Sequence, residues 1–239
     1  TDTALNLMNL PTIAYSGEID RQKQAADVMA EALARDGITL THIIGPKTEH
    51  RYHPDSKVEV ERRLASLAAF GRNPMPSEVW LSTYTLRYPR MHWVTIEGMG
   101  KHWEEAEVRA RITGLAKIEI TAVNVTALTL EIPAGGVPFP VNAPVTLLIN
   151  GDQNVEAPRA LSDRSWRCPL VLSDDGATWR IGTPADGLRK RPGLQGPIDD
   201  AFMDRFVMVT PSGTSSSAVV KEWVAKEQAI ALDRWRRAL

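Results

Sequence analysis

Apolar and polar positions change their rhythm twice along this chain. "LPTIAYSG" (Leu10 to Gly17) is a short apolar run closed by glycine, the pattern of a buried strand. "DRQKQAADVMAEALARDG" follows with Ala25, Val28, Met29 and Ala32 or Leu33 at helical spacing, and Gly37 as its stop. "ITLTHIIG" (Ile38 to Gly45) predicts a second β-branched strand. The next segment opens with Ser56-Lys57-Val58-Glu59, which has the spacing of a capping box, and carries Val60, Leu64 and Leu67 on one stripe. Strand, helix, strand, helix predicts parallel strands joined by crossover helices, an α/β arrangement over residues 1–72.

The rhythm then shifts to period two. "FGRNPMPSE" reads as a linker, with Gly71, Asn73 and two prolines. Beyond it lie "EVWLSTYTLRY", "MHWVTIEG", "AEVRARIT", "KIEITAVNVTALTLEIP", "APVTLLING" and "WRCPLVLSDDGATWRIG", the last with a hairpin around Asp175-Gly176. These predict a β-sandwich-like domain over 73–182. A second shift gives residues 183–239: the loop "TPADGLRKRPGLQGPIDD", a strand ending "AFMDRFVMVTPSG", and a long amphipathic helix. Val220, Trp223, Val224 and Ile230 mark that helix's apolar side. A terminal β-α unit of a further α/β layer is expected there.

Composition narrows the function classes. The chain has 239 residues, is 43% hydrophobic and 24% charged, and carries a formal net charge of -1, so nothing pulls it toward nucleic acid or an anionic membrane. Cys168 is its only cysteine, which excludes an intrachain disulfide and a thiolate metal cluster. No run approaches the roughly 18 apolar residues of a membrane helix, and no signal peptide is visible. Thr1 rather than Met opens the sequence, as in a processed chain or a piece of a longer one. Location stays open, with a secreted or periplasmic full-length protein compatible with the sequence.

The candidate chemistry lies in two loops. In open α/β sheets reactive groups gather beyond the carboxyl ends of the strands, where Asp20 and His50 both fall. A carboxylate beside an imidazole there could orient it to take a proton from a serine. Asp20 has the alternative of an N-cap. His50-x-x-His53, with Glu49 or Asp55, has the alternative of a zinc site, weakly specified in a loop. His53 is otherwise a hydrogen-bonding residue ahead of Pro54. His92, Trp93, His102 and Trp103 suggest an aromatic surface or, more often for tryptophan, core packing. Arg189, Lys190 and Arg191 form a basic cluster too short for nucleic acid and expected to be solvated.

"AYSGEIDRQKQAADVMAEAL" followed by "LTHIIGPKTEHRYHP" resembles the late part of a prolyl oligopeptidase-type catalytic domain, a serine peptidase of α/β-hydrolase fold. Gly17-Glu18-Ile19-Asp20 matches the family's Gly-x-x-Asp element, and His50 matches its catalytic histidine, with Glu49 where glycine is usual. Later stretches resemble the carboxy-terminal extension of bacterial members. The resemblance implies Asp20 and His50 as catalytic residues, a peptide or ester substrate, acyl transfer to water, and no cofactor or metal. Gly-x-Ser-x-Gly, which should precede Asp20, is missing. The chain alone is therefore expected to be inactive, its nucleophile lying on a polypeptide partner or a missing N-terminal segment, with self-association through an uncovered sheet edge as the other outcome. The competing reading is a non-catalytic β-rich binding or interaction module with a relic hydrolase segment.

Overall fold

A computed structural model describes residues 2–202 and 205–238. The chain is mixed α/β with several sheets, and it divides into two compact units, one ending at Gln195 and one beginning at Gly196. No helix among the described residues is long and apolar enough to cross a membrane.

The first unit opens with a 3-10 helix, Ala4–Asn9, and then strand β1 (Ile13–Gly17), helix α1 (Lys23–Arg35), strand β2 (Thr41–Gly45) and helix α2 (Pro54–Phe70). β1 and β2 pair in parallel, from Ile13 opposite Thr41 to Gly17 opposite Gly45. They form a two-stranded sheet, so the far edge of β1 has no strand beside it among the described residues. α1 stops where Gly37 takes a positive φ of 74° and donates to the Ala34 carbonyl. α2 begins earlier than the Ser56–Glu59 box predicts. Pro54 occupies its first turn, where a fixed φ and a missing N–H cost nothing, and His53 is the N-cap without a side-chain bond. Ser56 instead donates to the Ile44 carbonyl, and Glu59 accepts from Arg62 and Arg63. Of the stripe on α2, Val60 is buried while Leu64 is 52% exposed.

Ten strands follow: β3 (Glu78–Thr83), β4 (Arg90–Met91), β5 (Val94–Met99), β6 (Ala106–Thr113), β7 (Lys117–Val123), β8 (Val125–Ile132), β9 (Val145–Ile149), β10 (Gln153–Ala157), β11 (Trp166–Leu172) and β12 (Trp179–Ile181). They make two five-stranded sheets, ordered β10-β9-β7-β6-β3 and β12-β11-β8-β5-β4. Every pairing is antiparallel except β7 with β9. One core lies between the sheets. Val108, Ile118, Ile120, Leu147 and Ile149 enter it from the first, and Ile96, Leu128, Leu130, Cys168 and Leu170 from the second. In β6 the alternation read from sequence holds for Ala106, Val108 and Ala110, which are buried, while Ile112, the fourth position of that stripe, is only partly buried.

The run "KIEITAVNVTALTLEIP" is two strands in different sheets. Asn124, with φ 55°, turns the corner between them. β10 is absent from the sequence-based expectations. Its signal was Asn150-Gly151, both at positive φ, a hairpin turn between β9 and β10.

In the second unit a 3-10 helix, Ile198–Phe202, precedes α3 (Ala218–Ala238). The strand expected in "AFMDRFVMVTPSG" does not form. Residues 203 and 204 lie outside the described residues, and 205–217 carry no strand. Residues 205–217 pair with no strand among the described residues, and an isolated strand leaves its backbone groups to water. The terminal β-α unit is thereby corrected to a helix with an irregular lead. Phe202, Phe206 and Trp235 stack on one another at centroid distances of 4.8 to 5.3 Å. Trp223 on the expected apolar side is 62% exposed.

Candidate active site: an acid–histidine pair beyond two parallel strands

The site is built by two glycines. Gly17 and Gly45 end β1 and β2 at the same register position. A Cβ on Gly17 would stand 2.2 Å from the carbonyl oxygens of Thr48 and Glu49, and one on Gly45 would meet the Tyr15 hydroxyl at 2.1 Å. Only residues without side chains let the two following loops lie this close. The loops then lock together. Glu18 N–H donates to the Gly45 carbonyl at 2.8 Å, Ile19 N–H to the Thr48 carbonyl at 3.1 Å, and Lys47 N–H to the Glu18 carboxylate at 2.7 Å. The Tyr15 hydroxyl donates to the Arg51 carbonyl and accepts from His53 N–H, pinning the second loop on either side of Tyr52.

This lock brings Asp20 to His50. The Asp20 Oδ2 lies 2.8 Å from His50 Nδ1, while Oδ1 accepts from Gln22 N–H at 2.8 Å. Asp20 therefore also serves the turn leading into α1. The Gln22 N–H and the His50 ring, in that order, hold the Asp20 carboxyl below its ordinary 3.8. The acid is sheltered, its side chain 10% exposed, and the imidazole is open, at 75%. With Nδ1–H donated to the carboxylate, Nε2 carries the lone pair and faces outward as a proton acceptor.

The other sequence candidates are placed elsewhere. His53 caps α2, and its Nδ1 is buried with no hydrogen-bond partner, so it does not extend the pair. No group of three histidines, cysteines or acidic residues among the described residues is placed to hold a metal, which leaves the zinc reading without a ligand set. Trp93 is a core residue, its indole N–H donating to the Pro76 carbonyl, whereas Trp103 is 55% exposed. Arg189 is half-buried and donates to the Glu97 carbonyl at 3.2 Å, correcting the expectation of a simply solvated cluster.

A second serine–histidine–acid line went unread in the sequence. Ser16 Oγ and His42 Nε2 share a 3.0 Å hydrogen bond, and His42 Nδ1 is 3.8 Å from Asp27 Oδ1, which also accepts from Lys23. Alternation could have found it, since residue 14 pairs with residue 42 and residue 16 lies two positions on, on the same face. Ser16 is 6% exposed, too enclosed to attack a substrate, so the line ties the sheet to α1.

A cleft of about 550 Å³, lined by Leu10, Ile13, Leu33, Ile38 and Leu67 among others, opens at the amino-terminal ends of the strands, away from this chemistry. Comparison with protein-family models, curated proteins and solved structures finds no match to this chain.

Proposed function

We propose that this chain supplies the acid and the general base of a serine hydrolase of α/β-hydrolase type, a peptidase or esterase, with the nucleophile on a polypeptide segment outside this sequence. The 2.8 Å contact between Asp20 and His50, sheltered acid against open imidazole, carries the reading. The prolyl oligopeptidase resemblance of Gly17-Glu18-Ile19-Asp20 and His50 agrees with it. In the reaction, His50 Nε2 takes the proton of a serine Oγ as that oxygen attacks the substrate carbonyl. The imidazolium then returns the proton to the leaving group, and water repeats the cycle on the acyl ester. Asp20 fixes the tautomer and steadies the imidazolium. Among the described residues no serine is hydrogen-bonded to His50. The free edge of β1 is where the further strands of a parallel sheet would pair, and an uncovered edge of this kind draws a partner or a second copy.

A fluorophosphonate probe, applied to this chain alone and to the chain combined with the polypeptide encoded immediately upstream, tests the reading. The chain alone stays unlabelled, the combination is labelled on a serine of the added polypeptide, His50→Ala abolishes that label, and His53→Ala largely retains it. Label on any serine of the isolated chain, or label indifferent to His50, would overturn it.

A further inference from the structure

The outer face of the second sheet holds a cleft that the acid–histidine site does not use. Gly98, Ala127, Val171 and Arg180 pair in one register row across β5, β8, β11 and β12. They share a face, and it is the face away from the core, since their neighbours Leu128, Leu130, Leu170 and Trp179 are the ones in the core cluster. Yet Ala127 is only 1% exposed, and Thr129 two residues on only 4%. An outward face becomes buried only when something lies over it. The cover is the Gly/Pro-rich loop after β12, held by Arg189 donating to the Glu97 carbonyl.

Between loop and sheet lies a cavity of about 350 Å³, within the range of small-ligand sites. Its floor is a trough because Gly98 and Ala127 carry almost no side chain. Gly98 is at a β-bulge, where a Cβ would stand 2.6 Å from Thr126 Oγ1, so the trough cannot be filled from there. Its walls are basic. Arg180 stands at the end of the row, Arg189 and Lys190 come from the loop, and His102 from the turn between β5 and β6. Asp174 is the sole acidic lining residue among the described residues. Burial first, and the Lys190 charge after it, lower the His102 imidazole below its ordinary value.

We propose that this cleft binds a compact ligand carrying at least two negative charges, its phosphate- or carboxylate-type oxygens received by Arg180, Arg189 and Lys190. Planar guanidinium forks receive paired oxygens of either type, and three cations against one carboxylate leave two positive charges for the ligand to neutralise. The Arg180 and Lys190 side chains make no ion pair or hydrogen bond among the described residues, so their donors are available.

Calorimetric titration of the full chain at low ionic strength with inorganic pyrophosphate and, separately, with citrate tests this. Saturable one-to-one binding of either supports the site and tells phosphate from carboxylate chemistry. Arg180→Gln and Lys190→Gln should each weaken it about tenfold, the loss of one charge-assisted contact, with an unchanged near-ultraviolet circular dichroism spectrum showing that the sandwich is intact. Asp174→Asn should tighten it, and His50→Ala should leave it unchanged, separating this site from the acid–histidine pair. No saturable binding of either anion, or binding indifferent to both Arg180→Gln and Lys190→Gln, would overturn the proposal.

Discussion

At the residue scale, the same side-chain chemistry is used openly in one place and locked away in another. Cys168 lies in the core with no exposed surface, and burial pushes its thiol up to about 12. A thiol that stays protonated and enclosed is a poor nucleophile. Ellman's reagent at pH 8 should leave it unmodified in the folded chain and titrate one thiol after denaturation; rapid reaction of native protein would contradict this burial. Asp20 moves the other way. Its carboxyl is depressed below 3.8 by the Gln22 N–H and the His50 ring, so the ionised form belongs to the folded state. Its contribution is fully present above pH 3.8 and fades as pH falls through the lower folded value. Nuclear magnetic resonance of the Asp20 carboxyl carbon should report a midpoint below that of the same residue in denatured chain, and His50→Ala should raise it. A midpoint at or above the denatured value would mean the hydrogen bond is not made.

At the element scale, the ends and edges of strands are finished by side-chain amides acting as peptide groups. Asn6 receives Ser82 N–H and donates to the Ser82 carbonyl, and Asn9 does the same for Trp80, so the free edge of β3 is satisfied without another strand. Gln153 on β10 treats Trp179 on β12 likewise, bridging the two sheets, and Asn124 holds Lys101 in the same way. Each amide both accepts and donates, which a carboxylate of equal size cannot. Asn9→Asp should therefore cost about 1–3 kcal/mol in urea unfolding, because the Trp80 carbonyl loses its donor and faces a negative charge. Less than about 0.5 kcal/mol, the scale of an ordinary surface change, would show that water replaces the amide freely.

Across the first unit as a whole, stability and the proposed chemistry rest on different parts. The sandwich holds nearly all the large buried side chains, while the Asp20–His50 pair sits on a two-stranded sheet with an open edge. Asp36 at the end of α1 and Arg109 on β6 join these parts at 2.8 Å, with the Arg109 guanidinium 4.2 Å above the Trp80 ring. Leu147→Ala, at a fully enclosed core position, should cost about 2–5 kcal/mol, whereas His50→Ala should stay within about 0.5 kcal/mol. Equal losses for the two in denaturant titrations would deny this division.

Local pattern was enough for the strands and helices whose signals are local. The alternation of "AEVRARIT", the helical spacing from Lys23 to Arg35, and the placement of Asp20 and His50 after two apolar strands are all consequences of which face a neighbouring residue must bury. Local pattern misled where a competing local signal won, as when Pro54 started α2 ahead of the Ser56 box, and where a strand needs a partner strand, as in residues 205–217. The rest was decided by contacts far apart in sequence. Nothing in "ITAVNVTAL" says that Asn124 turns a corner from one sheet to the other. Nor does the loop sequence place Arg189 over Gly98 and Ala127, or the Asn6 and Asn9 amides along β3. Period and propensity are properties of neighbours along the chain; which edge is free, which face is covered and which charges converge are set by the packing of elements that the chain brings together only when it folds.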